Sequence, residues 1–367
     1  MQHTTSIGGK TLSIGGKTLS IGGKTLLVYA IAVSLSSMAL CGVRAQEPSF
    51  HPLVGAEWAH VVTAGESWAT IGARVGVSPA VLAARNGRGL RPALKGGDTI
   101  VIDNRHIVPD QPPVPDGNAD VSPDVHHDGL IVNVPQRLAF FFAEGRLVSY
   151  YPAAVGGSGW QTPLGDFTIV RKEEDPTWDV PLSIQQEMRR AGMRVVTSVP
   201  PGPANPLGRF WLGLSLDSVG IHGTISPLSI YAFATHGCIR LHPEDIEALY
   251  QEVAAGERGR IIYEPVLVAY DGTDVYLEVH PDPYRRAPDP LGRAVELLDL
   301  AGLTGLSDMA EVAQVVRHAE GLATPVTTLT RESSSRPVPC DTGSARRATD
   351  NTDNTDRPSH GQQQAAR

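Results

Sequence analysis

Residues 234–241 read ATHGCIRL, and residues 220–224 read GIHGT, in a chain of 367 residues that holds only three cysteines. His236, Gly237, Cys238 and Arg240 therefore fall within five residues, with His222 sixteen residues before the cysteine. A thiol is a weak nucleophile until it becomes a thiolate, and a neighbouring imidazole and a cation both favour that form. Taken as one extended segment, 234–241 alternates its side chains, so His236, Cys238 and Arg240 share a face and Ile239 turns to the core. Gly237 permits close backbone approach. The N–H groups of Gly237 and Cys238 are then placed to stabilise the oxyanion formed when a carbonyl is attacked. The base that takes the thiol proton is either His222 or His236.

A cysteine has other uses. His222, His236, Cys238 and His242 make a zinc set on paper, but the paired spacings of zinc sites, such as Cys-x-x-Cys, are missing. A disulfide framework needs an even set of cysteines inside one compact fold. Here Cys340 sits in a polar tail, 329–367, whose composition predicts disorder, and Cys41 sits in an N-terminal leader. The expectation is a nucleophilic cysteine with no metal and no cofactor.

The elements that must position these residues are mostly strands. LIVNV (130–134) and RLAFFFAEGRLVSYYPAAVG (137–156) read as a strand and a hairpin turning at Glu144-Gly145. TPLGDFTIVRKE, RFWLGLSL and VGIHGT supply more strands. The one clear helix in this region is Pro243–Val253, with Ile246, Leu249, Tyr250 and Val253 at helical spacing and Glu244 and Asp245 in its first turn. A mainly β domain over 129–265 follows. Residues 266–328 add a strand pair around Asp271-Gly272 and two helices, expected to cap the catalytic domain.

The first 45 residues stand apart. Three exact copies of SIGGKTL occupy 6–12, 13–19 and 20–26. Two glycines per heptad argue against a coiled coil, and Thr11 stands where a phosphate-binding loop ending at Gly16 needs a glycine. A lysine, an apolar run broken by serines, and Val43-Arg44-Ala45 then read as an export signal cleaved after Ala45. Leu40 before Cys41 fits a lipid-attachment signal poorly. The chain carries a formal charge of −8, and the leader holds basic residues but no acidic ones, so the exported part is more acidic still. That excludes a nucleic-acid partner on charge.

Residues 58–103 predict strand, helix, helix, strand, with Gly76 ending the first helix and Ser78-Pro79 opening the second. With VTAGESWATIG, GVSPAVLAARN and LKGGDTIVI, this stretch resembles a LysM domain, a small α/β (βααβ) module whose family binds N-acetylglucosamine-containing glycans, including peptidoglycan. It departs from the family at Ser67-Trp68, where Thr-Leu is commoner. A Pro-, Asp- and Gly-rich linker, 104–128, follows and is expected to be extended.

HGT…THGCIRL resembles the signature of the YkuD-type L,D-transpeptidase catalytic domain: a His, a spacer, then Ser/Thr-His-Gly-Cys and, one residue on, Arg or Asn. GWQTPLGDFTIVRK, DPTWDVP, PPGPANPLGRFWLGL, HPEDIEALY and VYLEVHP extend the likeness across 130–282, toward the Gram-negative branch that attaches Braun-type lipoprotein to peptidoglycan. The resemblance implies a β-sandwich with few helices in the periplasm. It implies that Cys238 attacks the diaminopimelate carbonyl of a peptidoglycan tetrapeptide stem, releases D-alanine and forms a thioester. An amine resolves it, giving a 3–3 crosslink or an anchored lipoprotein, or water does so in a carboxypeptidase. His222 matches the general base, oriented by the Gly223 carbonyl. His236, Gly237 and Arg240 match the surroundings of the nucleophile, and Thr235 replaces the commoner Ser. Trp178 and Tyr231 are expected, with Thr235, to line a substrate groove that shields the thioester. The rival from another class is a wall-binding scaffold with no catalysis.

Overall fold

The computed structural model describes residues 53–109 and 128–328. The expected export leader, residues 110–127 of the linker, and the tail with Cys340 lie outside the described residues.

The first part of the chain runs β1 (Leu53–Val54), β2 (Glu57–Val61), α1 (Trp68–Val75), α2 (Pro79–Arg85), β3 (Thr99–Asp103) and β4 (His106–Ile107). β2 and β3 pair antiparallel with α1 and α2 between them in sequence, the order expected from the residues. Ser67 begins α1 with a reciprocal cap: the Thr70 N–H donates to Ser67 Oγ (3.1 Å) and the Ser67 N–H donates to Thr70 Oγ1 (2.7 Å). Trp68 fills the small core with Ile71, Val77, Leu82, Ile100 and Ile102.

The expected linker does not begin at 104. Asn104, His106, Ile107 and Val108 are buried, and β4 pairs with β1. The apolar pair Ile107-Val108 and a partner for His106 hold these residues down.

The central part contains β5 (Gly129–Asn133), β6 (Leu138–Ala143), β7 (Arg146–Gly156), β8 (Gly165–Glu174), β9 (Trp178–Asp179), α3 (Leu182–Arg190), β10 (Ser198–Val199), β11 (Phe210–Leu214), β12 (Gly220–His222), β13 (Phe233–Thr235), β14 (Ile239–Leu241), α4 (Pro243–Glu252) and β15 (Arg258–Ile262). One half of the sandwich is β6, β5, β15 and the start of β8; the other is the end of β8, β11, β12, β14 and the end of β7. The long strands β7 and β8 pass from one half to the other and join them at both edges. Leu130, Val132, Phe167, Ile169, Leu212, Ile221, Ile239 and Leu241 fill the space between. Helix α3 was not expected. Its residues, LSIQQEMRR, bury only Gln185 fully, so they lack the strong apolar stripe that marks a helix in sequence. α3 sits between β9 and β10, which pair with each other outside the main sheet.

The last part is β16 (Val266–Tyr270), β17 (Val275–Val279), α5 (Pro290–Leu300), α6 (Met309–His318) and β18 (Thr324–Pro325). Its three strands pair antiparallel, and Val275, Leu277, Ala294, Leu298 and Val312 form its core. It was expected to cap the central domain, but it also packs on the first module. Leu322 is buried in that module's core, Glu320 pairs with Arg85 (3.0 Å), and the Ala323 N–H donates to the Arg105 carbonyl (2.9 Å).

One carboxylate ties the three parts. Glu278, fully buried on β17, accepts from His106 Nδ1 (2.9 Å), His280 Nε2 (2.6 Å), Gln136 Nε2 (3.1 Å) and the Ile107 N–H (2.5 Å). The other nitrogen of His106 faces the Gly76 carbonyl at 3.0 Å, so the ring bridges the first module to Glu278. Burial opposes the Glu278 charge, but the two histidines win and hold its pKa down at about 2. His280 is pushed the other way, below the usual histidine range, by its own burial.

The sign of the pH dependence follows. Unfolded, His280 takes up a proton near pH 6.5 that its folded site resists, so stability falls as pH drops through that value. Glu278 contributes fully above about pH 4.5 and loses its contribution as pH falls toward 2. Urea unfolding should therefore show lower stability at pH 5 than at pH 7.5. Glu278→Ala, which takes the shared acceptor from four buried donors, should cost about 3–5 kcal/mol at pH 7.5.

Candidate active site

β12 and β14 lie parallel and adjacent, with Ile221 opposite Ile239 and His222 opposite Arg240. Ile221 and Ile239 point into the core and are fully buried. Side chains alternate along a strand, so His222, Arg240 and the Cys238 position share the other face. β11 continues that face, with Trp211 opposite His222 and the two rings near-stacked at 5.7 Å. A Cβ on Gly220 would lie 2.3 Å from the Trp211 indole, so only glycine lets the indole cover this face.

The segment 234–241 is not one extended strand. β13 ends at Thr235 and β14 starts at Ile239. The turn between them passes through Gly237 at φ 109°, a conformation that favours glycine. Thr235 makes that turn: its hydroxyl donates to the Cys238 carbonyl (2.6 Å) and accepts from the Gly237 N–H (3.2 Å). Thr235 is thus buried as a clip inside the turn and does not face a substrate. Because the Gly237 N–H is spent on it, the Cys238 N–H is the better candidate for an oxyanion donor.

The break also separates the polar side chains. His236 projects outward, where its Nε2 meets Glu187 Oε2 on α3 at 3.0 Å and its ring lies 5.2 Å from Trp160. Arg240 is held by Ser229 Oγ (2.9 Å). His222 is buried, and its Nδ1–H donates to the Gly223 carbonyl at 2.7 Å, the bond expected for it. That fixes the tautomer and leaves Nε2 as the acceptor. Of the two candidate bases, only His222 is held this way.

Burial, and then the Arg240 charge, push the His222 pKa down to about 4. Burial pushes the Cys238 thiol up, against the Gly220 backbone and the Arg240 cation. The thiol donates to the Ser218 carbonyl at 3.7 Å. Burial thus drives both groups toward their neutral forms.

Tyr231 does not line a groove. It is buried beneath Arg137, whose guanidinium sits 4.0 Å from the ring centre, in a cluster that includes Ala73 of the first module. Trp178 is half-buried in the β9–β10 strand pair, opposite Val199. The zinc set drawn from the sequence is not assembled, since His236 bonds Glu187 and His242 bonds Arg74 (2.9 Å). Among the described residues, the donor atoms that do gather are those of His106, Glu278 and His280.

Several residues at the site were given no role from the sequence. Trp160 stands in the loop after β7. Tyr284 pins the base of that loop: its hydroxyl donates to the Gly156 carbonyl (2.7 Å) and accepts from the Thr162 N–H (2.9 Å). Glu187 and Ser229 act through partners distant in sequence. Only Trp211 had a sequence clue, as a large aromatic on a strand beside the one that carries His222.

A β scaffold presenting a half-buried thiol beside a carbonyl-oriented histidine defines a thiol-dependent acyl-transfer or hydrolytic domain. The L,D-transpeptidase catalytic domain family (YkuD) matches residues 127–275. A Bacillus licheniformis protein named as the L,D-transpeptidase YkuD is 33% identical over 137 residues, covering 37% of this chain and 67% of that protein. Two Escherichia coli (strain K12) proteins named as L,D-transpeptidases are also similar: YbiS, 35% identical over 44% of this chain and 53% of its own length, and YcfS, 28% identical over 69% and 77%. The match thus spans about half the length of YbiS. The chain belongs to the YkuD family of L,D-transpeptidases.

A neutral resting pair has a direct readout. Alkylation of Cys238 by iodoacetamide should accelerate about tenfold per pH unit from pH 6 to 9, as for a thiol of raised pKa. A rate already flat at pH 6 would mean a thiolate–imidazolium pair.

Proposed function

We propose that this chain is an exported L,D-transpeptidase of the bacterial cell wall. His222 Nε2 takes the Cys238 proton as Sγ attacks the diaminopimelate carbonyl of a tetrapeptide stem. The tetrahedral oxyanion is met by the Cys238 N–H, with the Arg240 charge nearby. D-Alanine leaves with the proton from His222, and a thioester remains on Cys238. An amine then resolves it, either from a second stem, giving a 3–3 crosslink, or from the terminal lysine of a Braun-type lipoprotein. The observation that carries the reading is the 2.7 Å bond from His222 Nδ1 to Gly223, which leaves Nε2 as the accepting nitrogen of a histidine on the strand face shared with Cys238. The names of the relatives support the same chemistry.

The βααβ module suits a glycan-binding role that keeps the enzyme on peptidoglycan strands, and a periplasmic location fits both the leader and the substrate. The docking of this module against β17 and α4 would then hold the glycan at a fixed distance from Cys238.

Intact mass measured after brief incubation with a disaccharide-tetrapeptide should show a gain equal to the donor minus D-alanine, absent in Cys238→Ala. His222→Ala should slow this acylation by about 10²–10⁴-fold. No adduct and no released D-alanine would overturn the reading in favour of a wall-binding scaffold.

A further inference from the structure

Helix α3 has one strong attachment to the catalytic motif. Glu187 Oε1 accepts from the Trp160 indole N–H (3.0 Å), and Glu187 Oε2 meets His236 Nε2 (3.0 Å). One carboxylate thus joins three segments at the rim of the site: the loop after β7, the residue two before the nucleophile, and α3. The same loop reaches the turn beside Cys238, where the Gln161 carbonyl lies 3.6 Å from the place a Cβ of Gly237 would occupy.

A carboxylate used only as a clamp would gain from burial and from filling its acceptor sites. Glu187 does neither. Its side chain and that of His236 are each 41% exposed, and the Trp160 side of the cluster is also open. An ionised carboxylate offers about four acceptor positions, and here two are used. The result is a solvent-facing anion flanked by an indole, a combination suited to an organic ammonium, which pairs with the carboxylate and lies against the ring face.

We propose that Glu187, with Trp160, is the receiving site for the ammonium group of the acyl acceptor, and that it sets the preference for amines over water at the thioester. This rests on the transferase reading above and names a specificity residue within it. Both acceptors considered there present a primary amine that is protonated at neutral pH. The cation docks at Glu187, and one proton leaves to solvent. The nitrogen lone pair then attacks the thioester carbonyl, the C–S bond breaks with its electron pair going to Sγ, and the second N–H proton restores the thiol. The products are an amide, a free Cys238 and one proton. Water has no charge for Glu187 to hold, so a bound ammonium gains residence next to the thioester that water does not.

The test separates the two half-reactions. Acylation by a disaccharide-tetrapeptide is followed through D-alanine release. Deacylation is followed with three probes: Nα-acetyl-lysine amide as a cationic amine, methoxyamine as an amine uncharged at pH 7, and water. In Glu187→Gln, which keeps a polar partner for Trp160 and His236, the KM for the lysine amide should rise about tenfold and the share of hydrolysis should grow. Acylation and the methoxyamine reaction should stay within about twofold, and Glu187→Asp should recover part of the lysine preference. Equal losses for both amines, an unchanged lysine KM, or a fall in acylation itself would overturn the proposal, because Glu187 would then only support His236. Absence of acylation in the unsubstituted protein would overturn the transferase reading, and this proposal with it.

Discussion

Everything at the candidate site depends on two short parallel strands being adjacent. β12 and β14 pair for only two residues each, Ile221 with Ile239 and His222 with Arg240. That register sends two isoleucines into a fully buried core and puts the histidine, the arginine and the thiol on the opposite face. A slip of one residue would exchange the faces and bury charge where the isoleucines sit. The cost of such a slip, carried by the core, is what fixes the chemistry of the surface. Parallel strands need a long crossover, and here it is residues 223–238, which bring in the Ser229 that steadies Arg240.

The pKa shifts belong to the same arrangement. Both Cys238 and His222 are driven toward their neutral forms by burial, and Arg240 acts on the two in ways that favour a thiolate and an uncharged imidazole. The site holds a base whose tautomer is set by a backbone carbonyl and a thiol whose proton rests on the Ser218 carbonyl.

The sequence revealed the parts of this site that are local. The Thr-His-Gly-Cys run, the spacing to His222 and the helix after Leu241 were readable because each signal lies within a few neighbouring residues. The period-two reading of 234–241 failed at Gly237, where the Thr235 hydroxyl bends the chain, and Tyr231 was misplaced because its burial depends on Arg137 and on the first module. Glu187 lay beyond sequence reasoning: its two partners are 27 and 49 residues away, and its helix has too weak an apolar face to announce itself. The linker was misjudged at its start for the same kind of reason, since the partner that buries His106 is Glu278.

That last pairing bears on how the protein comes to be built. His106 and Glu278 are 172 residues apart, and Tyr284 reaches back 128 residues to close the loop that carries Trp160. A chain made from its N-terminus can pair β2 with β3 early, but the core of that module still awaits Leu322, and one wall of the thiol site is finished only when Tyr284 arrives. Contacts of such long range make folding slow and leave the nearly complete chain without its closing ties. Without the last third, the cysteine has its histidine but an unsupported rim, so the assembled site waits on β17 and Tyr284.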